Sequence, residues 1–436
     1  MQIFWIIILF FFIFLQFIFI KKNPAINRLF VLFLFVAFFM WYFVPILLTI
    51  SGNTVVIDFL GVELTNYCSL AIKELTLYLL ILFVFNATSI KKRIIISKVR
   101  FIENENLRHD KLFFNFTFIF MVAYIAFLGI NQMDYTANND ISKQQGGIFQ
   151  LLTFFSYYFM AYLWVLLIYG IQNNQRRIAV ILIIAHIIVS VLSGSRILLL
   201  SLIYLILFLV SREENSIKKV RTYVILVVVS LASVMALPYM SAQRSGADVA
   251  VITKSENVWS LVLEELNVKL NSIAYSSVLL KYDHEEFAGF NPYLGSLAKF
   301  VPRLFWKDKP TATSFNEDIS GIPSRRIPVL LDVNSESYNT GTSAYAVAAW
   351  QMGFITVLLT FFLNVLMFKL INNSLNNSSL YIKSFGFMLV GFPQLVMLPT
   401  YGDNILQKLI EAFVIFVLLI MLNIISLEHV NENSNF

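Results

Sequence analysis

The sequence predicts an all-α polytopic integral membrane protein of about eleven transmembrane helices (ten to twelve) with one large extracytoplasmic loop. Three observations predict it. Hydrophobic residues fill 58% of the 436 positions and charged residues only 13%, with a mean hydropathy of +0.75, a balance foreign to soluble domains and to disordered chains. Apolar runs recur along the chain, most of them about 18 to 22 residues long, enough to cross roughly 30 Å at 1.5 Å per residue. A single long polar, mixed-charge stretch, residues 238–343, separates two apolar regions.

Taken in order, the apolar runs predict helices over Ile3–Ile20, Leu29–Ile50, Ser69–Thr88, Leu112–Ile130 and Gln150–Ile171. A closer pair follows, Ile178–Leu192 and Ile197–Ser211, parted only by Ser193-Gly194-Ser195-Arg196, and then Thr222–Leu237. Beyond the polar stretch come Ala344–Ile371, Ser384–Pro399 and Ile405–Ile425. The chain therefore divides into an N-terminal bundle of about eight helices (1–237), a large loop (238–343), and a C-terminal set of helices with a short tail (344–436). The first run is read as a retained helix and not a cleaved signal, because no basic residue precedes it and Lys21-Lys22 forms a stop-transfer flank. No internal repeat divides the chain into related halves.

Orientation follows from the connections. One set of loops holds Lys21, Lys22 and Arg28, then Lys91, Lys92, Arg93, Lys98, Arg100, Arg108 and Lys111, then Arg176 and Arg177, then Arg212, Lys218, Lys219 and Arg221. The opposing short loops hold little beyond Lys143, Arg196 and Lys408. An excess of Lys and Arg marks the cytoplasmic side, which puts the long stretch and the short tail on opposite faces, the stretch outside. The net charge of +6 is explained by this bias, so no nucleic-acid partner is expected. Cys68 is the single cysteine, so no intrachain disulfide forms.

Arg196 lies between two apolar runs, where a guanidinium is costly unless it meets an anion or a water-filled cavity. It reads either as an anion-binding residue in a Gly-Ser turn or as an anchor snorkelling at a helix end. The long stretch carries Arg244, Arg303, Lys307, Lys309, Arg325 and Arg326 beside Asp332 and Glu336. Arginine suits a diphosphate because its planar fork donates two hydrogen bonds and stays charged; singly, each of these residues also reads as a solvated surface charge. Phe300, Leu304, Phe305 and Trp306 surround Arg303 in sequence, a pattern suited to a segment at the lipid interface. Asp332 and Glu336 are the favoured carboxylates for taking a proton from an attacking hydroxyl, since the run from Asp332 leads straight into the next helix. Tyr338 and Asn339 in that run read as donors to sugar hydroxyls or as an ordinary helix-entry turn. Apart from Arg196, the charge noted inside the predicted spans is Lys73-Glu74.

Other chemistries lack their residues. No P-loop glycine pattern precedes Lys-Ser or Lys-Thr, and no G-x-S-x-G elbow occurs. His109, His186, His284 and His429 are scattered, so a metal cluster is not expected. His186 reads as a helix residue hydrogen-bonded to a neighbour.

The helices, the Ser-Gly-Ser-Arg turn, the late outer stretch, the run Leu297-Ala-Lys-Phe-Val-Pro-Arg-Leu-Phe-Trp-Lys-Asp-Lys-Pro310 and the Gly341-Thr-Ser-Ala-Tyr345 entry to a helix containing Gly353 together resemble the Wzy family. These are polymerases of O-antigen and other oligosaccharide repeat units. The Pro302-Arg303 to Lys309-Pro310 element is the most specific part. The resemblance implies a metal-independent, cofactor-free, GT-C-like membrane glycosyltransferase of the bacterial inner membrane, active at its periplasmic face. Its partners would be undecaprenyl-diphosphate-linked oligosaccharides, membrane lipid and a chain-length regulator protein. Arg196, Arg244, Arg303 and Arg325 would hold the diphosphate, Asp332 or Glu336 would act as base, and Trp306, Lys309, Tyr338 and Asn339 would meet sugar or the lipid interface. A lipid-linked glycan ligase is one alternative, with His284 as the only outer-loop histidine available to it; a repeat-unit flippase is the other.

Overall fold

The computed structural model describes residues 2–21, 30, 34, 64–91, 99–103, 107–131, 147–169, 173–192, 276–277, 280, 293–294, 297, 344–377, 379–391, 402–421 and 425–429. In chain order these form α1 (Gln2–Lys21), α2 (Leu64–Lys91), β1 (Val99–Glu103), α3 (Leu107–Asn131), α4 (Gly147–Tyr169), α5 (Asn173–Leu192), α6 (Ala344–Met352), α7 (Phe354–Asn376), α8 (Leu380–Gly391), α9 (Gly402–Met421) and β2 (Ile425–His429). Within the polar stretch, Ser276, Ser277, Leu280, Tyr293, Leu294 and Leu297 are helical. The described residues are thus helical apart from one short antiparallel ribbon, which pairs β1 with β2 in the register Val99 to His429 and Glu103 to Ile425.

Two compact units partition the chain. One comprises Met1–Leu82, Ile206–Met367 and Pro393–Gln407; the other comprises Phe83–Leu205, Phe368–Phe392 and Lys408–Phe436. In the first, α1 is joined to α2 by the Gln16 side chain, whose Nε2 donates to the Leu75 carbonyl at 2.6 Å. Gln16 is fully buried, so this bond is made where water offers little competition. In the second unit, α8 lies against α4, and α3, α4 and α5 pack together. The joint is aromatic: Phe113 of α3 meets Tyr162 of α4 and Tyr381 of α8 edge-on at 4.9 and 5.1 Å. Tyr162 and Tyr381 stack at 5.5 Å, and the Tyr158 hydroxyl donates to the Tyr381 carbonyl at 3.3 Å.

Two helical stretches among the described residues are long and apolar enough to cross a membrane, Asn66–Phe85 within α2 and Phe354–Asn376, which is α7. Their surroundings are inverted relative to a protein in water. Along α7, Phe354, Ile355, Leu358, Phe362 and Leu366 are exposed while Thr356, Thr360 and Asn364 are fully buried. The same outward stripe appears on α1 as Phe4, Ile7, Phe11 and Phe14, and on α5 as Ile181, Ile184 and Ile188. Spacings of three and four residues put each set on one helix face. Contiguous apolar surface of this kind suits lipid and would be an aggregation patch in water.

One predicted span has a different form. The run predicted as a single helix over Ala344–Ile371 is broken at Gly353, which has φ of +63°. Nine-residue α6 rises only about 14 Å, too little to cross a bilayer, whereas α7 with 23 residues rises about 35 Å. The chain stays hydrogen-bonded through the break, with the Gly353 amide on the Ala349 carbonyl at 2.9 Å and the Val357 amide on the Gly353 carbonyl at 3.2 Å. The Thr356 hydroxyl also reaches the carbonyls of Ala348 and Gly353, which is how a helix interruption is tolerated away from water.

Candidate functional site in the helical interior

The residues singled out for substrate and catalysis, Arg196, Arg244, Arg303, Arg325, Asp332, Glu336, Trp306, Lys309, Tyr338 and Asn339, lie outside the described residues. What the structure does bring together is a set of polar groups inside each unit.

In the first unit the focus is Glu74. It sits ten residues into α2, about 15 Å along the axis from Leu64, and is 3% exposed. Its Oε2 accepts the backbone N–H of Tyr345 at 2.8 Å. Tyr345 is the second residue of α6, so this amide is one of the first-turn donors that a helix leaves without an intrahelical partner. A carboxylate there also meets the favourable end of the helix dipole. Lys73, the preceding residue, places Nζ 5.9 Å from the centre of the Tyr345 ring, within cation–π range. The Lys73-Glu74 pair noted in the sequence therefore converges on the residue where the polar stretch has just rejoined the helices.

Further along the same unit, Thr356, Thr360 and Asn364 form a buried line at four-residue spacing on α7. Asn364 Nδ2 donates to the Thr360 carbonyl at 2.8 Å. The Thr360 hydroxyl shares a 3.4 Å hydrogen bond with the Tyr293 hydroxyl. Tyr293 belongs to the polar stretch and is 5% exposed, so part of that stretch is docked into the helical interior. Hydroxyl and amide groups inside an apolar bundle are costly unless hydrogen-bonded, and here they bond one another.

The second unit holds a buried ion pair. Lys408, counted with the outer-loop charges although the predicted span Ile405–Ile425 includes it, is inside α9 and bonded to Glu411 at 2.6 Å, with side chains 9% and 8% exposed. His186 of α5 stacks on Tyr124 at 6.0 Å. The hydrogen bond expected for His186 is not found at Nδ1, which has no partner among the described residues although the side chain is 4% exposed; the contact is ring on ring.

At its other end this unit carries cations. Arg176 donates from Nε and Nη2 to the Leu167 carbonyl in the last turn of α4, at 3.2 and 2.9 Å, and Lys383 lies 4.4 Å over the Tyr169 ring. Cations at a helix C-terminus satisfy its open carbonyls and its dipole.

Sequence reasoning missed the Thr356, Thr360, Asn364 line, the docking of Tyr293 and the Lys408–Glu411 pair. The first and last had a signal: polar residues recurring at three- and four-residue spacing within an apolar run lie on one face. Tyr293 had none, because its partner is 67 residues away. Comparison with protein-family models, with curated proteins and with solved structures gives no match.

Proposed function

We propose that the chain is an integral membrane polymerase of lipid-linked oligosaccharide repeat units, with about eleven spans, GT-C-like, set in a bacterial inner membrane. The growing glycan on undecaprenyl diphosphate is the donor, and a single repeat unit on the same carrier is the acceptor. The acceptor's terminal sugar hydroxyl attacks the donor's anomeric carbon at the outer face. A new C–O bond to the acceptor oxygen forms, the anomeric carbon–phosphate oxygen bond breaks, undecaprenyl diphosphate departs, and the hydroxyl proton passes to Asp332 or Glu336. The leaving group is built into the substrate, so the protein has mainly to align acceptor and donor and to stabilise charge on the bridging oxygen. Arg196 and Arg303 do this, with Arg244 and Arg325 as further candidates; Trp306, Lys309, Tyr338 and Asn339 meet sugar or the lipid interface. A chain-length regulator in the same membrane is a proposed partner.

The observation that carries the reading is the element Pro302-Arg303-Leu304-Phe305-Trp306-Lys307-Asp308-Lys309-Pro310 in a polar stretch bounded by apolar runs. Two structural facts support its setting. The lipid-suited helix faces fit a membrane protein, and Tyr293, nine residues before Pro302, is anchored at Thr360 in the first unit. The test is substitution. Arg196→Ala and Arg303→Ala should each abolish long glycan while the protein still inserts, a loss on the order of 10²-fold per transition-state donor. Full-length glycan from both variants would sink the reading.

A second reading, a flippase for the same lipid-linked sugar, is favoured by one observation. The α6–α7 interruption and the buried Thr356, Thr360 and Asn364 combine a broken helix with polar groups inside an apolar run, features that transport proteins use. Reconstituted vesicles separate the two, since a flippase moves lipid-linked units across the bilayer without lengthening them.

A further inference from the structure

We infer that Lys73 and Glu74 are a positioning clamp for the proposed transfer reaction, acting through Tyr345 at the point where the polar stretch rejoins the helices. The inference rests on the polymerase reading for what is being positioned.

Tyr345 is held twice by neighbouring residues of one helix, its amide by the Glu74 carboxylate at 2.8 Å and its ring by the Lys73 ammonium at 5.9 Å. Neither contact is the local solution. Thr342 and Ser343 immediately precede α6 and are good N-terminal caps by residue type, yet the described acceptor for Tyr345 comes from 271 positions away. A carboxyl group at 3% exposure is also a costly residue to place beside an amide. What the remote acceptor adds is registration: it fixes the first turn of α6 to a set height on α2. Asp332 and Glu336, the base candidates, precede Tyr345 by 13 and 9 residues, so the clamp anchors the chain directly after them. A base held about 1 Å out of place loses rate steeply, which is why an anchor remote from the reacting atoms matters.

The clamp needs an acceptor oxygen at Glu74, not its charge, and this separates it from a role as general base. The experiment uses the full chain reconstituted in vesicles with lipid-linked repeat units, and compares wild type, Glu74→Gln and Glu74→Leu at matched inserted protein. Glu74→Gln keeps a side-chain oxygen for the amide and should elongate within about 3-fold of wild type. Glu74→Leu should lower kcat about 10-fold or more with little change in the KM for the lipid-linked acceptor. A spin label at Ala344→Cys in a Cys68→Ser background gives a readout independent of activity: ordered in wild type and Glu74→Gln, mobile in Glu74→Leu. If Glu74→Leu does not insert, Tyr345→Pro removes the donor instead, since proline is accepted in the first helical turn, and should reproduce the fall in kcat. Glu74→Gln as inactive as Glu74→Leu would overturn the clamp in favour of a role for the charge. A label equally ordered in all three would overturn it outright. No elongation by wild type, with the label still loosened by Glu74→Leu, would remove the reaction while leaving the anchoring contact in place.

Discussion

Ser379 closes the turn between α7 and α8 with its own side chain. Its Oγ receives the Ile382 amide at 3.4 Å, and its amide in turn donates to Asn377 Oδ1 at 2.9 Å. Loss of the cap in Ser379→Ala should cost about 1 kcal/mol, read as a lower thermal midpoint in detergent; an unchanged midpoint would mean water replaces the hydroxyl. Gly353 poses the opposite problem. Nothing lies within 4 Å of where a Cβ would stand, so only its φ of +63° resists substitution. Gly353→Ala should therefore destabilise by roughly 1–2 kcal/mol, and Gly353→Asn by less, because asparagine tolerates the left-handed region. Equal losses for the two would point to packing instead. Of these residues, Ser379 was missed as a cap, because the apolar run was read from Ser384 while the helix starts at Leu380. Gly353 was not legible as a break, because an isolated glycine in an apolar run reads equally well as helix interior.

Apolar run length located the described helices to within a few residues: the predicted Ser69–Thr88 and Leu112–Ile130 lie inside α2 and α3. The misses were charges and pairing. Lys408 opens no loop; it pairs with Glu411 one turn away inside α9. Breaking a buried pair from one side is costly, so Lys408→Met or Glu411→Met alone should cost about 3–5 kcal/mol, while the two substitutions together should cost far less. Additive losses in the double variant, measured by thermal unfolding, would refute a paired role. The ribbon of β1 and β2 was likewise invisible, since its register joins segments more than 300 positions apart and strand signals of five residues are weak beside long apolar runs. Its consequence is topological. Two paired strands share one face of any membrane, so single cysteines at Arg100 and Glu428 should be labelled from the same side of sealed vesicles, the cytoplasmic side by the count of Lys and Arg. Labelling from opposite sides would contradict the pairing.

At the scale of the molecule, α1, α5 and α7 carry lipid-suited faces, and each unit holds its polar interactions inside. That general character was legible in composition, because a chain that is 58% hydrophobic has too little polar surface to face water. The residues proposed for substrate and catalysis were read as residue types alone and lie outside the described residues. Long-range contacts such as Glu74 with Tyr345 are encoded by no local pattern. The central claim is that this chain joins lipid-linked repeat units into long glycan. The most direct measurement is glycan length on a gel after deleting the gene and restoring wild type or Arg303→Ala. The account predicts surface glycan stopping at one repeat unit in the deletion, long chains with wild type, and one unit again with Arg303→Ala. Complete loss of repeat units from the surface acceptor in the deletion would contradict it and assign the chain to ligation or flipping.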